Sequence, residues 1–573
     1  MINIQQSITK KYPTVQTLPE PITFPLFSII KKVIHENDIN TFLKQQQYAT
    51  PFSFVESTLD YFNFSYKYAS NQIENIPSSG RVVIIANHPL GGLDAISLIH
   101  LVRKVRSDVK VVANDILGEI QQLEPILIGI DSLGDTLSKS SVNQIHQSLQ
   151  KEEAIIIFPA GEVSRARPNG IKDTKWHKGF LKFATKNKAP ILPIYIKAKN
   201  STLFYTLSSI NKSLSSLLLP HEMFKQRNGS LEFKIGEIIP YKSFSTQLLS
   251  VNAEIKLFRK HLYRVSQCKK PIFPTQKAIA HPENRQILRK DLEECPILGR
   301  TSDGKKIYLY EHKKGSTILQ EIARLREYTF RKVEEGTGKK RDKDDYDYYY
   351  KHIILWDDKE LEIVGSYRIA ESNDIYNNYG IEGFYTNSLF KLKSGFEPYL
   401  NNSIELGRSF VQPKYWGTRA LDYLWQGIGA YLYKNPHIKY LFGAVSLSGA
   451  MPINAQELII YYYDKYYGDK YEYIEAKDRF KFTASALDDL KFIFDGESRD
   501  EDFSTLKEQL SYYGVTIPTL YKQYSDLCEE GGVSFMGYSI DKHFGNCIDS
   551  FLLVDIDKMK EKKRSRYIKD SFV

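Results

Sequence analysis

Residues 81–94 read RVVIIANHPLGGLD, and this stretch indicates both a fold and a reactive site. Five apolar or β-branched residues, Val82–Ala86, predict a strand that is buried on both faces. His88 follows the strand, and Asp94 precedes the amphipathic run AISLIHLVRKV. A carboxylate at that spacing can hold one imidazole nitrogen while the other takes a proton from a hydroxyl group. The same residues also fit a solvated turn in which Asp94 only caps a helix.

Two later stretches repeat the pattern of a buried strand followed by a turn or punctuated by proline. Residues 154–165 read AIIIFPAGEVSR, and residues 189–196 read APILPIYI. The strands alternate with helical patterns, which predicts a largely parallel sheet with helices on its faces. Ligand sites in such sheets lie beyond the carboxyl ends of the strands, where His88 and Glu162 fall.

These three stretches together resemble the glycerolipid acyltransferase family over residues 75–245. That family has an Asn-His-x4-Asp block, a Phe-Pro-Glu-Gly block and a late strand with two prolines. Here five residues separate His88 from Asp94, and Ala160 stands at the Glu position with Glu162 two places on. Both departures resemble the branch that acylates lyso-aminolipids. The resemblance implies that His88 is the base on the acceptor hydroxyl and that Asp94 orients it.

The resemblance also implies roles for neighbouring residues. The acceptor headgroup is expected to be bound by Glu162, Ser164 and Arg165. Gly91 and Gly92 are expected to let the backbone come close to the thioester of the acyl donor.

The second half of the chain carries a different pattern. Residues 403–411 read SIELGRSFV and predict a strand with Glu405 and Arg408 three apart. Residues i and i+3 of a strand point to opposite faces, so these two need not form one site. The turn Trp416–Ala420 then leads into an amphipathic helix. A strand leading into a helix N-terminus presents free N–H groups and a positive dipole, which suits a pantetheine phosphate.

This order of elements resembles the GNAT N-acyltransferases over residues 315–560, and more narrowly the branch shared by aminolipid N-acyltransferases and acyl-homoserine-lactone synthases. Its marks are an acidic loop (Asp344, Asp345, Asp347), a strand that ends in Arg368, and the Glu405-x-x-Arg408 strand. The resemblance implies that Glu405 is the base or positions a water molecule. Arg368 and Arg408 are expected to bind the amino-acid carboxylate or the loop acids.

Further roles follow from the same resemblance. Asp347 is assigned to substrate binding, and the donor site is assigned to Trp416, Gly417 and Thr418. Arg419 stands where that superfamily has a small residue, for which a carrier-protein donor with few nucleotide contacts is one explanation. One tyrosine of the run 461–467 is a candidate to protonate the leaving thiolate.

Length and composition set the domain organisation. A chain of 573 residues with 42% hydrophobic and 25% charged residues predicts a globular protein of two or more domains. The fold class is α/β. We expect a helical segment at 1–74 that either packs on the core or faces a membrane. It is followed by an αβ O-acyltransferase domain at 75–267, a proline-rich linker at 268–300 and a GNAT-like α+β domain at 301–573.

Charge and cysteine content limit the partners and the compartment. The net charge of +10 comes without any nucleic-acid-binding motif, so an anionic membrane surface or acyl carrier protein is the expected partner. Four scattered cysteines fit neither a disulfide framework nor a zinc site, and no metal is expected. The N-terminal residues lack the apolar core of a signal peptide. We therefore expect a cytoplasmic protein associated peripherally with the inner membrane.

The two resemblances combine into one expectation, because this fusion resembles the bifunctional aminolipid synthases. The C-terminal domain would N-acylate ornithine or glycine with a 3-hydroxyacyl group from acyl carrier protein, or alternatively from CoA, without another cofactor. The N-terminal domain would then acylate the 3-hydroxyl group. Three alternatives stay open: a lysophospholipid acyltransferase with a non-catalytic GNAT-like domain, a synthase of a soluble N-acyl amino acid, and a non-catalytic carrier-protein adaptor.

Overall fold

A computed structural model describes residues 20–114, 120–130, 138–168, 170–210, 218–245, 249–483, 486–495 and 498–568. The chain divides into two compact units between His281 and Pro282. In the described ranges, no helix is long and apolar enough to cross a bilayer.

The first unit combines helices with a seven-stranded sheet. Its helices are α1 (Glu20–Ile34), α2 (Glu36–Gln45), α3 (Pro51–Tyr61), α4 (Leu93–Arg103), α5 (Lys139–Gln150), α6 (Gly179–Lys186), α7 (Thr202–Ile210), α8 (Leu219–Lys225) and α9 (Val251–Ser266). Its strands are β1 (Ser65–Lys67), β2 (Val82–Ala86), β3 (Val109–Asn114), β4 (Leu127–Ile130), β5 (Ala154–Ile157), β6 (Arg165–Arg167), β7 (Gly170–Lys172), β8 (Ile191–Lys197) and β9 (Ser230–Ile235).

The sheet has the order β1-β9-β8-β2-β5-β3-β4, and only the β8–β9 pair is antiparallel among its described ladders. Strand β2 lies between β5 and β8, and all five of its residues are buried. Val82 and Ile84 pack into the core on one face, while Val83 and Ile85 pack into the core on the other. The predicted parallel sheet with helices on both faces is thereby confirmed.

Residues 20–75 belong to this unit rather than forming a separate segment. Helix α3 buries Phe54, Val55 and Leu59 in the same core as β2. Strand β1 joins the sheet as a parallel partner of β9. Helices α2 and α3 of the predicted 1–74 segment thus pack on the core, while residues 1–19 lie outside the described ranges.

The second unit is built on an eight-stranded sheet. Its helices are α10 (Arg285–Glu293), α11 (Thr317–Lys332), α12 (Ser372–Tyr379), α13 (Glu397–Leu400), α14 (Ala420–Lys434), α15 (Ile453–Tyr467), α16 (Ala486–Ile493), α17 (Arg499–Tyr512), α18 (Thr519–Ser525) and α19 (Glu561–Tyr567). Its strands are β10 (Ile297–Arg300), β11 (Lys306–Glu311), β12 (Lys351–Asp357), β13 (Glu362–Glu371), β14 (Phe390–Leu392), β15 (Ser403–Val411), β16 (Tyr440–Leu447), β17 (Ile474–Ala476), β18 (Val533–Asp541) and β19 (Cys547–Asp555).

The large sheet has the order β10-β11-β12-β13-β15-β16-β19-β18, and β15–β16 is its parallel pair. That pairing ends at Leu406 and Gly443, whereas β15 continues along β13 to Val411 and β16 continues along β19 to Leu447. The two parallel strands therefore separate towards their carboxyl ends and leave an opening in the sheet.

The two faces of this sheet differ in chemistry. One face packs against α14 and α15 in a continuous apolar core. The other face is apolar beneath α11 and again beneath residues 375–400, but polar between these two clusters. We call this middle strip the polar belt; its side chains are His352, Arg368, Glu405, Arg408, Ser446 and Asp549.

Residues 268–300 do not form the linker that their prolines predict. Residues 268–281 belong to the first unit, and the second unit begins at Pro282. The segment then forms helix α10 and the edge strand β10. The prolines stand between elements, as Pro296 does immediately before β10, because proline terminates helices and is tolerated at sheet edges.

Candidate active sites

The predicted histidine–aspartate pair forms at the carboxyl end of β2. His88 Nδ1 lies 3.1 Å from Asp94 Oδ2. The Asp94 carboxylate is fully buried, and the His88 side chain keeps 15% of its surface exposed. Asp94 also accepts hydrogen bonds from the backbone N–H groups of Leu90 (2.8 Å), Gly91 (3.1 Å) and Ala95 (2.9 Å). The loop thus closes on its own carboxylate.

Two local features give this loop its shape. The Asn87 side chain continues the sheet, because its amide donates to the Ile196 carbonyl (2.8 Å) and its oxygen accepts from the Ile196 N–H (2.7 Å). Gly91 has φ +91°, and a Cβ atom there would lie 2.8 Å from Val163 Cγ2. Glycine is therefore required at this position both by conformation and by space.

The electrostatics favour a basic imidazole. Burial opposes protonation of His88, but the charge and hydrogen bond of Asp94 outweigh it and raise the pKa of His88. Burial likewise opposes the charged form of Asp94, yet His88 and two backbone N–H groups lower its pKa. The carboxylate stays ionised and holds Nδ1, so Nε2 is left for an acceptor hydroxyl group.

The second polar turn of the first unit lies beside this pair. The Ser164 N–H donates to the His88 carbonyl (2.8 Å), and Phe158 lies 4.3 Å from the imidazole, ring to ring. Arg165 Nη2 lies 3.4 Å from Glu162 Oε2, with the Glu162 side chain more exposed than that of Arg165. The Arg165 guanidinium also packs over the Phe204 ring at 5.6 Å.

In the second unit, a β-bulge brings Glu405 and Arg408 to one face. The pairing of β13 with β15 shifts register between Ser366 and Arg368, which inserts an extra residue into β15. Arg408 sits there with φ +48°. A bulge reverses the alternation of side chains, and a non-glycine residue in the left-handed region stores strain typical of functional sites. The expectation that residues three apart face opposite ways fails for this physical reason.

Three arginines and three aspartates form a buried ionic network beside the polar belt. Arg326 Nη1 donates to Asp347 Oδ1 (2.7 Å), and Arg368 Nη1 donates to Asp344 Oδ1 (2.5 Å) and Asp347 Oδ1 (3.1 Å). Arg408 lies 3.4 Å from Asp342 Oδ2. Burial opposes the charged form of Asp347, but the nearby guanidinium groups lower its pKa.

Some hydrogen-bond donors of this network have no acceptor. Among the described residues, Nε and Nη2 of Arg368 and Nε of Arg408 have no acceptor. The Arg368 side chain is 1% exposed and that of Arg408 is 12% exposed. A buried donor without a partner costs free energy, so these atoms suit an anionic ligand.

Glu405 is saturated with hydrogen bonds. Its carboxylate accepts from the Tyr350 hydroxyl, from the Tyr385 N–H (3.2 Å) and from the Thr386 N–H (2.7 Å). Burial raises its pKa, against the hydrogen bonds from Tyr350 and Thr386. Both guanidinium groups of the polar belt lie over the Tyr385 ring, Arg368 at 5.1 Å and Arg408 at 5.0 Å. Glu405 therefore fixes the loop on which those arginines rest.

The predicted donor turn follows β15 at its separated end. Trp416 is 48% exposed, and its indole N–H donates to the Val411 carbonyl (2.7 Å). Gly417 has φ +75°, and a Cβ atom added there would meet no described atom within 4 Å. Thr418 Oγ1 accepts from the N–H of Ala420, the first residue of α14. The turn is exposed at a helix N-terminus, next to the opening between β15 and β16.

Comparisons with known proteins find a match for each of the two units. A family model described as Acyltransferase matches residues 11–269, and one described as Acetyltransferase (GNAT) domain matches residues 325–426. A glycine N(alpha)-acyltransferase of Bacteroides thetaiotaomicron is 31% identical over 303 residues, which cover 51% of this chain and 89% of that protein. A lyso-glycine lipid O-acyltransferase of the same organism is 30% identical over 224 residues, 38% of this chain and 81% of that protein.

The chain belongs to the aminolipid acyltransferase family. It is also similar to an L-ornithine N(alpha)-acyltransferase of Rhizobium meliloti, 36% identical over 124 residues that cover 21% of this chain and 40% of that protein. This aminolipid acyltransferase is bifunctional and carries out both O-acyl and N-acyl transfer. The predicted family, fold class and enzyme class are thereby confirmed.

Two residues expected to bind substrate have internal partners in this acyltransferase. The Ser164 hydroxyl donates to Asp173 Oδ1 (2.6 Å), and Ser164 is 1% exposed. Asp347 is fully buried between Arg326 and Arg368. The geometry therefore favours a positioning role for both residues, in which they hold neighbouring groups in place, over direct contact with a substrate.

Sequence reasoning missed Asp173, which ties the two turns of the O-acyltransferase site together. Its Oδ1 atom also accepts from the His88 N–H (3.3 Å), and its Oδ2 atom accepts from the Trp176 indole (2.9 Å). The Asp173 N–H in turn donates to the Tyr263 hydroxyl (2.8 Å). Burial raises the pKa of Asp173. In the sequence, Asp173 belongs only to an isolated Asp–x–x–Trp that lacks strand or helix periodicity. Such a segment looks the same in sequence as a loop without a functional residue.

The tyrosine run of the N-acyltransferase unit lies largely in packed surroundings. Tyr462 donates to the Arg499 carbonyl (3.2 Å), Tyr466 donates to Asp502 (2.5 Å), and Tyr463 is fully buried. A different tyrosine, Tyr524, lines a cavity of about 10 Å³ at the point where β15 and β16 separate. Within the described ranges, no three His, Cys, Asp or Glu side chains are grouped as metal ligands.

Proposed function

We propose that the second unit transfers a 3-hydroxyacyl group from acyl carrier protein to the α-amine of glycine, and that the first unit acylates the 3-hydroxyl group of the product. The observation that carries this proposal is that one chain covers most of both a glycine N(alpha)-acyltransferase and a lyso-glycine lipid O-acyltransferase. The two reactions fit in sequence, because the first supplies the hydroxyl group that the second consumes.

In the O-acyl step, His88 Nε2 takes the proton of the 3-hydroxyl group as its oxygen attacks the thioester. Asp94 holds Nδ1 and stabilises the imidazolium that forms. The leaving thiolate then receives that proton from His88. Arg165, which lies beside Glu162 in the second polar turn of the same unit, is the residue proposed to bind the carboxylate of the lyso-lipid headgroup.

In the N-acyl step, the unpartnered donors of Arg368 and Arg408 bind the carboxylate of the amino acid. Glu405 acts as a positioning residue through the 385–386 loop, on which both guanidinium groups rest. The donor's pantetheine arm enters between β15 and β16, where the backbone groups of the separated strands are open to its amides. The turn Trp416–Thr418 receives its phosphate.

The same features support a location at the cytoplasmic surface of an anionic membrane. Lyso-lipid is the substrate of the O-acyl step, and the net charge of +10 favours an anionic surface and an acidic carrier protein. Helix α1 presents Phe24 with 80% of its surface exposed, and Lys31 follows in its last turn. An amphipathic helix of this kind can lie in a membrane interface.

Ornithine is the second candidate acceptor, because ornithine N(alpha)-acyltransferases also match this chain. The deciding experiment is mass spectrometry of total lipids from a host that lacks aminolipids and expresses the full chain. A diacylated glycine is expected, and a diacylated ornithine would name the second candidate. Absence of any acylated amino acid in a host that supplies both acyl donors would contradict the proposal.

A further inference from the structure

Ser446 and Asp549 form a polar pair on one side of the opening in the second sheet. They are directly opposite each other on the adjacent strands β16 and β19, and the Ser446 hydroxyl donates to Asp549 Oδ1 (2.7 Å). Ser446 lies three residues beyond Gly443, where β16 parts from β15. Arg408 lies two residues beyond Leu406 on β15, on the other side. The opening therefore has a cation on one side and a carboxylate on the other.

Asp549 differs from the other carboxylates beside the polar belt. Glu405 is occupied by three hydrogen bonds, and Asp347 is paired with two arginines. Asp549 is buried (3% exposed) and accepts from the Ser446 hydroxyl and, more weakly, from the Cys547 thiol (3.7 Å), but no Lys, Arg or His side chain among the described residues forms an ion pair with it. A buried carboxylate without a counter-ion is costly, so this position suits an incoming cation.

An independent observation points to a ligand at the same place. The unpartnered nitrogens of Arg368 and Arg408 belong to guanidinium groups that rest on Tyr385. Burial is the main cause that raises the pKa of the Tyr385 hydroxyl. The charges of Asp549 and Asp541 raise that pKa further, and the charges of Arg408 and Arg368 lower it. Free donors for an anion therefore lie over this ring, and a carboxylate without a counter-ion acts on its hydroxyl group. A zwitterion of amino-acid size carries both matching charges.

Burial raises the pKa of Asp549 to about 6, with Asp541 adding to the shift and Ser446 and Arg408 opposing it. Glu335, in the loop after α11, is partly exposed, and burial together with Asp549 raises its pKa to about 7. The titratable and charged groups that face Asp549 are Glu335, Tyr385, Arg408, Tyr521, Asp541 and Cys547. Asp549 is thus largely ionised at neutral pH, while Glu335 can exchange protons with solvent.

We propose that Asp549, supported by Ser446 and Glu335, receives the ammonium group of the amino-acid acceptor and takes its proton. This rests on the proposed N-acyl transfer. The ammonium gives one proton to Asp549, and the free amine attacks the thioester carbonyl carbon. The C–N bond forms, the C–S bond breaks, and a second nitrogen-bound proton ends on sulfur as the thiol. Asp549 returns to its carboxylate by passing its proton through Glu335 to solvent.

The test compares two acceptors that differ in basicity. Aminooxyacetate has the carboxylate of glycine, but the oxygen next to its nitrogen leaves that nitrogen unprotonated at neutral pH. The full chain is assayed with 3-hydroxyacyl-loaded acyl carrier protein. Asp549→Asn is expected to lower kcat/KM for glycine by about 10²-fold or more, the usual contribution of a general base. Transfer to aminooxyacetate is expected to fall far less, because it needs no base. Glu335→Gln should give a smaller loss in the same direction.

Asp541→Asn is the matched control, because it removes a neighbouring carboxylate without touching the proposed base. Its rate at high pH should equal that of the unchanged protein, while its acid limb moves to lower pH as the pKa of Asp549 falls. Equal losses for both acceptors in Asp549→Asn, or an unchanged rate with glycine, would overturn the proposal. Failure of the unchanged protein to acylate any amino acid would instead contradict the proposed function. Retained transfer to aminooxyacetate verifies that the second unit is folded in each variant, and O-acylation of added lyso-lipid verifies the first unit.

Discussion

The two active sites differ in how far apart along the chain their parts lie. His88 and Asp94 are six residues apart, and the backbone donors to Asp94 belong to the same loop. The polar belt of the N-acyltransferase instead draws on residues from His352 to Asp549, carried by five strands. The His88–Asp94 pair, which we call the local site, depends mainly on its own loop, whereas the polar belt, which we call the distributed site, depends on the register of the whole sheet.

The largest effect that tests this comparison is expected at the local site. His88→Ala should reduce O-acyl transfer by about 10³-fold, within the range for loss of a general base. N-acyl transfer should be unchanged, since His88 belongs to the other unit. Lipid analysis of cells that express this variant should show monoacylated product accumulating. Normal amounts of the diacylated lipid would show that His88 is not the base.

At the distributed site, one substitution should disturb the whole unit. Arg326→Leu leaves Asp347 buried with one fewer cation and removes the contact with His352 Nδ1 (3.3 Å). Breaking a buried ion pair costs about 3–5 kcal/mol. We expect a lower unfolding temperature of the second unit in calorimetry and loss of N-acylation, with O-acylation retained.

The control for that variant is the exposed pair of Arg289 with Glu293 (2.9 Å) on helix α10. Arg289→Leu should change the free energy of unfolding by less than about 1 kcal/mol, because solvent screens an exposed ion pair. A similar loss of stability in both variants would show that the ionic network is not held together as a buried unit.

Sequence predicted the contact between His88 and Asp94 because both residues belong to one pattern. The run Val82–Ala86 predicted a buried strand of the sheet. His88 lies in the short segment that joins this strand to the next helix, and Asp94 lies in the first turn of that helix. The strand Ser403–Val411 was also predicted with its observed bounds. Its bulge at Arg408 was not, because an extra residue in one strand is visible only once the partner strand is in register. Asp549 was missed because its position opposite Ser446 is likewise visible only once β16 and β19 are paired in register.

A positioning residue of the local site should give a moderate effect. Asp173→Asn removes a negative charge that raises the pKa of His88 and weakens the bonds to Ser164 and Trp176. We expect about tenfold slower O-acylation. His88 must be neutral to act as base, so activity is lost as pH falls through its pKa. Lowering that pKa should shift the acid limb of the pH–rate profile to lower pH.

Asp173→Glu is the informative companion, since it keeps the charge but displaces the oxygens. It should retain the acid limb of the unchanged protein while still slowing the reaction. An identical pH profile in Asp173→Asn and the unchanged protein would mean that Asp173 acts only through the shape of the loop. N-acyl transfer measured on the same preparations reports whether the rest of the chain is intact.

The smallest effect is expected at the exposed donor turn of the distributed site. Trp416→Ala removes a half-exposed indole and its bond to the Val411 carbonyl, neither of which supports the core. Thermal stability should be unchanged, while KM for the acyl-carrier-protein donor in N-acylation should rise about fivefold, equivalent to about 1 kcal/mol of binding. Tyr433→Ala, an equally exposed aromatic at the far end of α14, should leave KM unaltered. If both variants raise KM alike, the carrier protein binds along α14 rather than at the turn. The N-acyltransferase unit would then have a donor site that is spread over an extended surface, as its polar belt is spread over five strands.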